Sequence, residues 1–215
     1  MAGSINSLST VMVLQYLMTM TSIVLAGGKS MRLGRDKALE EIGGRSLIKR
    51  VIERLSLLGN EIIVVTSSNH QLPDLGVKVV FDSYPGKGNL VGIYSGLKDT
   101  ESSHSLVVGC DMPFLNIALL RHIMSLSTGY DVVIPRVDDE LEPLHAVYSK
   151  KCLTHIEATL DEGKRRIVDF FPSVCVRYVD SADIDRFDPQ HLSFFNINSE
   201  VDLERARTLL EREAQ

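Results

Sequence analysis

Ser22-Ile23-Val24-Leu25-Ala26-Gly27-Gly28-Lys29-Ser30-Met31-Arg32-Leu33-Gly34-Arg35-Asp36-Lys37 is the stretch on which the reading of the whole chain turns. Its opening run, Ser22 to Leu25, is short, mostly apolar and bounded by glycine, which predicts a buried β-strand. A strand that empties into Gly27-Gly28 turns sharply, because glycine takes φ > 0 without a Cβ clash. A loop without Cβ atoms also leaves backbone N–H groups open to close approach, and Arg32 and Lys37 set two cations beside them. Bare backbone N–H groups flanked by fixed cations suit a polyphosphate. The plainer alternative is a glycine turn with solvated charges nearby.

Two familiar phosphate loops are excluded. A Walker A loop needs Gly-x-x-x-x-Gly-Lys-Ser/Thr, whereas Gly34 is followed by Arg35-Asp36. A dinucleotide fingerprint needs Gly-x-Gly-x-x-Gly, a spacing that Gly27-Gly28 lacks.

Outward from this loop, apolar strands alternate with amphipathic helices. Leu47, Ile48, Val51, Ile52, Leu55 and Leu58 fall on one helical face, with Gly59 where a C-terminal cap belongs. Ile62–Val65, Val77–Phe81 and Ser105–Val108 read as strands, and Asp131–Pro135 as a strand stopped by its proline. Asn89–Leu97 and Ile117–Leu126 read as helices, with Asn89 as an N-cap. Further on, Pro143–Tyr148 and Val174–Val179 read as strands and Lys150–Leu160 as a helix. Gly163-Lys164-Arg165-Arg166 opens a second helix toward Phe171. Ser199, with Asp202 three residues on, caps a terminal helix that runs to about Glu213. This alternation predicts an α/β fold with a mainly parallel sheet covered on both faces. Ligands in such sheets bind outside the carboxyl ends of the strands, which singles out Gly27, Thr66, Asp82 and Asp111.

The bulk numbers bound the partners. At 215 residues, 44% hydrophobic and 24% charged, the chain is long enough for one sizeable core. A net charge of −5 gives no basic excess for nucleic acid, yet allows a local basic patch for a small phosphorylated substrate. Cys110, Cys152 and Cys175 have no pairing or metal spacing, which suggests reduced thiols in a cytoplasmic protein. No apolar run reaches the length of a membrane span. Met1–Met20 carries no charged side chain and four methionines, and lacks the basic start of a signal peptide. It reads as an N-terminal extension with Met18 or Met20 near the natural start. Met1 to about Ser9 is expected to be poorly ordered, and Val11–Met18 could pack as a short helix.

Asp111, in Gly109-Cys110-Asp111-Met112-Pro113, follows a hydrophobic strand directly. An aspartate there can hold magnesium, which needs only one or two carboxylates and keeps several waters. The alternative is an Asp that caps the turn before proline.

The string from Leu25 to Lys37 resembles the signature of the MobA-like nucleotidyltransferases, Leu-Ala-Gly-Gly-x-x-x-Arg-(Met/Leu)-Gly-x-Asp-Lys. It matches through Gly27, Gly28, Arg32, Gly34, Asp36 and Lys37, and within that family it resembles the molybdenum cofactor guanylyltransferases. The resemblance covers Thr21 to the C-terminus. It implies a single three-layer α/β/α domain over 21–215, Rossmann-like and similar to nucleotide-diphospho-sugar transferases, with 1–20 a partly disordered extension. It further implies transfer of GMP from GTP to the phosphate of molybdopterin, release of pyrophosphate, and Mg2+ as cofactor.

On that resemblance Arg32, Lys37 and Asp111 are catalytic, and Asp111 also binds the metal. Leu25, Ala26, Gly27, Gly28, Lys37, Thr66, Asp82, Gly92 and Asp111 face the nucleotide, with the N–H groups of Ala26, Gly27 and Gly28 on the triphosphate. Gly86–Ile93 resembles the family's Gly-Pro-Leu-Ala/Val-Gly segment along base and ribose, with Asn89 in place of the usual proline. The alternative for Asp82 is a strand-end turn residue. Pro143–Tyr148 and Gly163–Arg166 match two later motifs. Arg165 and Arg166 then offer an anion site for the pterin phosphate, or else form a solvated basic turn. Phe195-Asn196-Ile197-Asn198 resembles the family's ending. Its two asparagines, on one side if the segment is a strand, could orient the acceptor or a metal-bound water, or could simply hold the last loop. His145 reads as a strand residue with a satisfied side chain. Expected partners are GTP, molybdopterin, other cofactor-biosynthesis proteins and the recipient molybdoenzyme, with no nucleic acid or membrane and a monomer favoured.

Rivals within the fold are a CTP-dependent enzyme, which tends to carry Leu-Ala-Ala-Gly where Gly27 stands here, and a sugar-phosphate nucleotidyltransferase. A non-catalytic nucleotide-binding adaptor would be expected to lose Lys37 or Asp111.

Overall fold

Every residue of the first strand, Thr21–Leu25, is buried, and the sheet is built outward from it on both sides. The computed structural model describes residue 17 and residues 19–26, 36–67, 70–82 and 88–213. The expectations for Gly27, Gly28 and Arg32, and for most of the 1–20 extension, lie outside those residues.

In chain order the strands are β1 (Thr21–Leu25), β2 (Glu41–Ile42), β3 (Arg45–Ser46), β4 (Glu61–Thr66), β5 (Lys78–Phe81), β6 (His104–Gly109), β7 (Val132–Val137), β8 (Glu140–Leu141), β9 (His145–Ser149) and β10 (Val176–Asp180). The α-helices are α1 (Leu47–Ser56), α2 (Asn89–Asp99), α3 (Ile117–Ser125), α4 (Cys152–Asp161), α5 (Ser181–Ile184) and α6 (Glu200–Glu213). The main sheet runs β10-β7-β9-β6-β1-β4-β5, with β8 paired to β7. β1 pairs in parallel with both β4 and β6, while β9 is antiparallel to both of its neighbours.

Alternation along β1 sorts side chains onto the two faces. Val24 joins Ile48, Val51 and Leu55 of α1 and Leu120 of α3 on one face. Ile23 and Leu25 join Leu90, Ile93 and Leu97 of α2 and Ile156 of α4 on the other. Each such aliphatic side chain, fully buried, contributes about 1.5–3 kcal/mol. Leu17 and Met20 are buried on the α1 face, so the end of the extension belongs to the core. A third cluster lies under the β2–β3 hairpin, where Ile42 and Leu47 meet Phe114, Ile197, Leu203 and Ala206. That cluster docks α6.

Several expectations are corrected. β7 continues through Pro135 to Val137. Its pairing with β9 covers only Val132 and Val133, so at Pro135 no β9 residue needs the missing N–H. Asn89 is the first residue of α2 rather than its cap. Gly88 is the cap, at a φ of +91° that suits glycine. The helix expected from Gly163 toward Phe171 is a 3-10 helix, Ile167–Ser173, with Pro172 inside it. Residues 195–198 are not a strand. Ser199 does cap the terminal helix: its Oγ accepts from the Asp202 N–H at 3.2 Å and donates to Asp202 Oδ2 at 2.8 Å.

α2 lies close on β1 because Gly96 and Gly92 face it. A Cβ on Gly96 would stand 2.7 Å from Ile23 Cγ2. Gly96→Ala is therefore expected to destabilise the protein by about 1–3 kcal/mol through overpacking, although helix propensity alone favours alanine by about 1 kcal/mol. The sign of the shift in urea midpoint decides between the two effects.

His145, at the start of β9, is buried with its ring edge-on to Phe194 at 4.7 Å between centroids. Neither ring nitrogen has a hydrogen-bond partner among the described residues, contrary to the satisfied side chain expected. Burial pushes its pKa down to about 4. The unfolded chain takes up this proton near pH 6.5 and the folded chain only near 4, so stability falls as pH drops across that window. The shift corresponds to roughly 3 kcal/mol. Urea unfolding of the parent between pH 7 and pH 4 should show that extra loss, and His145→Leu should lack it.

Candidate active site

Four parallel strands, β6, β1, β4 and β5, end side by side, and Thr66, Asp82 and Asp111 stand at or just past their carboxyl ends. Ala26, just past β1, donates its N–H to Val65 O at 2.8 Å. This N–H is held in the ladder, so Ala26 does not offer it to a phosphate as the sequence suggested. Cys110 donates to Leu25 O at 3.1 Å, which sets Asp111 beside the end of β1.

The centre of the site is the Lys37 ammonium. It donates to Asp111 Oδ2 at 2.5 Å and to Asn198 Oδ1 at 2.7 Å. The Lys37 and Asp111 side chains are only 13% and 18% exposed, so the pair attracts in a medium less polarisable than bulk water. Lys37 opens a short 3-10 turn, Lys37–Leu39, whose cap is Asp36: Asp36 Oδ1 accepts from the Ala38 N–H at 3.1 Å. Gly109 leaves room for the Asp111 carboxylate, since a Cβ there would lie 2.4 Å from Asp111 Oδ1. Asn198 arrives from the far end of the chain. The Ile197 N–H donates to Asp111 O at 3.1 Å, and the Ile197 side chain is locked in the cluster under α6.

Asn196 and Asn198 part company. Asn196 Nδ2 turns back to Phe194 O at 3.0 Å, and Asn198 alone reaches the lysine. Arg165 Nη1 donates to Leu160 O and Lys164 O, which closes the carboxyl end of α4, and the Arg166 N–H donates to Asp169 Oδ2. Both arginines are exposed and bonded within their own turn. Thr66 is 1% exposed, its hydroxyl 2.7 Å from His70 Nδ1 and 3.3 Å from Ala26 O. His70 drew no attention in the sequence, where a lone histidine after a strand carries no signal.

Asp82 closes the other side. Its N–H donates to Thr66 O at 2.8 Å, while its Oδ1 is buried with no hydrogen-bond partner among the described residues. Burial pushes its carboxyl up to about 6. Gly92 lies opposite, where a Cβ would come within 3.7 Å of that oxygen. A buried, unpaired carboxylate oxygen beside bare backbone is a ready acceptor for an N–H or O–H of a ligand.

The two groups that accept from Lys37 are both oxygen, one carboxylate and one carboxamide. That set fits a hard divalent ion such as magnesium. Among the described residues no three His, Cys, Asp or Glu side chains converge as a metal cage. All three cysteines are free, and burial pushes the Cys110 thiol, beside Asp111, well above its ordinary value.

A family model described as the MobA-like NTP transferase domain matches residues 22–177. A protein of Pelotomaculum thermopropionicum named "probable molybdenum cofactor guanylyltransferase" is 40% identical over 191 residues, 89% of this chain and 93% of that one. The molybdenum cofactor guanylyltransferase of Desulfosudis oleivorans is 34% identical over 88% of this chain and 95% of its own. Among solved structures, molybdopterin-guanine dinucleotide biosynthesis protein A from Archaeoglobus fulgidus superposes with a TM-score of 0.80 at 29% identity. That match covers 90% of this chain and all of the other. A cytidylyltransferase from Thermus thermophilus shares the fold, with a TM-score of 0.66 at 14% identity.

Because a side chain at 109 collides with Asp111, Gly109→Ala should turn the carboxylate away from Lys37. Calorimetric titration with magnesium and a purine nucleoside triphosphate should show binding weakened about tenfold, or roughly 1.4 kcal/mol. Unchanged binding would mean that the carboxylate takes no part.

Proposed function

We propose that this chain, which belongs to the MobA-like NTP transferase family, transfers GMP from GTP to the phosphate of molybdopterin, releasing pyrophosphate and forming the guanine dinucleotide cofactor. One observation carries this reading: the Lys37 ammonium held between Asp111 and Asn198 at the carboxyl edge of the sheet. The names of the relatives support guanine and molybdopterin as the substrates.

The reaction asks mainly for positioning and charge neutralisation. A phosphate monoester is already anionic near neutral pH, so its oxygen attacks the α-phosphorus without a general base, and pyrophosphate leaves in line. Lys37 has three N–H donors, and Asp111 and Asn198 occupy two. The third is left for a phosphate oxygen. Because both protein partners hold the ammonium in place, it needs little rearrangement to meet the charge that develops on the departing group. Arg32 and the N–H groups of Gly27 and Gly28 complete the triphosphate cradle. Asp111 would hold magnesium, which supplies further charge neutralisation on the phosphates. Asp82 Oδ1, already buried and unpaired, accepts from the nucleoside. Arg165 and Arg166 remain the proposed contact for the acceptor phosphate. The reading places the reaction in the single domain from about residue 21 onward.

Thermal unfolding with magnesium and GTP, ATP, CTP or UTP in separate samples tests the base. GTP at a hundred times its Kd should add about 2.7 kcal/mol, which raises the midpoint by about 5–10 °C at this chain length. The other three should add much less, and a larger shift with CTP would overturn the guanine assignment. In an assay with molybdopterin, Lys37→Ala should lose GMP transfer by at least about a hundredfold. Near-normal turnover by that variant would sink the mechanism.

A further inference from the structure

A chain of hydrogen bonds runs across the mouth of the sheet behind Lys37. His70 Nε2 meets Asp36 Oδ2 in a short contact, and His70 Nδ1 lies 2.7 Å from Thr66 Oγ1. Thr66 Oγ1 is in turn 3.3 Å from Ala26 O, at the end of β1. The other oxygen of Asp36 caps the turn that Lys37 begins. The Asp36 carboxylate is thus tied at both ends, one oxygen to the Lys37–Leu39 turn and the other to a ring anchored on the end of β4.

The order carboxylate, imidazole, hydroxyl is also that of a nucleophilic relay. That use is excluded here, because Thr66 is buried and its oxygen lies between the ring and a main-chain carbonyl. Either protonation state of the ring serves as a brace. A neutral ring with its proton on Nε2 donates to Asp36 and accepts from Thr66. A charged ring donates to both, and Thr66 then donates to Ala26 O.

We propose that His70 is a positioning residue for the transfer: by bracing Asp36 against β4 it fixes the backbone that presents the Lys37 ammonium to Asp111, Asn198 and the triphosphate. This rests on the reading of Lys37 given above. His70 touches no reacting atom and acts through Asp36. Asp36 belongs to the glycine-loop motif, whereas His70 lies 34 residues away, so only the fold brings the two together. A displacement of about 1 Å in a group that holds a reacting phosphate can cost a hundredfold in rate.

The test compares His70→Ala, His70→Gln, Asp36→Ala and the double variant His70→Ala/Asp36→Ala. Three readings are taken: GMP-transfer kinetics, the unfolding midpoint, and the rate at which Lys37 is acetylated by acetic anhydride, followed by mass spectrometry. His70→Ala should lower kcat by ten- to a hundredfold with KM for GTP changed less than about threefold. Its midpoint should stay within about 3 °C of the parent. Lys37 acetylation should rise several-fold as the ammonium is released. His70→Gln, whose carboxamide can bridge the same two groups, should recover most of the rate. The double variant should be no slower than Asp36→Ala, because both changes break one link. Independent, multiplying losses would overturn the proposal, as would a His70→Ala enzyme within twofold of the parent, or unchanged Lys37 acetylation. If the parent shows no GMP transfer, the proposed function fails, while the acetylation rates still decide whether the brace exists.

Discussion

One ammonium group is shared by three parts of the chain that are far apart in sequence. Lys37 follows the glycine loop, Asp111 ends β6, and Asn198 precedes the last helix. Both charges of the ion pair are mostly withdrawn from water, so each depends on the other. Removing either partner of such a pair leaves a charge poorly solvated, which is costly in proportion to its burial. That mutual dependence explains why so much of the fold is given to locating three short side-chain ends.

The parts outside the sheet make sense in this light. The β2–β3 hairpin turns through Gly43 and Gly44, both at positive φ, and forms with α1 and α6 a small apolar cluster separate from the two faces of the sheet. These residues belong to neither of the clusters on the faces of the sheet. Their contribution is to fasten Ile197 and so to bring Asn198 onto the lysine. The stability of this outlying cluster is thereby coupled to the geometry of the site through Ile197.

The two aspartates of the site are prepared differently. Asp111 is ion-paired with Lys37, and Gly109 leaves room for its carboxylate. Asp82 has no such partner among the described residues, and burial raises its carboxyl to about 6. A carboxylate left unpaired in a partly buried place carries a desolvation cost that a ligand N–H or O–H would offset on binding. Burial of His145 is a different matter: its ring lies against Phe194, and burial lowers its pKa to about 4.

Much of this was legible in the chain itself. The mostly apolar runs at Ser22–Leu25, Ile62–Val65 and Ser105–Val108 became the parallel strands β1, β4 and β6, because a strand covered on both faces is built mainly of apolar residues. The place of Asp111 at a strand end was readable because it follows an apolar run directly. Pairing across the sheet was not readable: the antiparallel course of β9 depends on which edges are free once β6 and β7 are in place. Nor could sequence foresee that the Ala26 N–H is taken up by Val65, that Asn196 turns away while Asn198 reaches in, or that His70 meets Asp36. Local sequence determines what a segment is able to form. Which of its polar groups stay free is decided only when the tertiary structure brings distant partners within hydrogen-bonding distance.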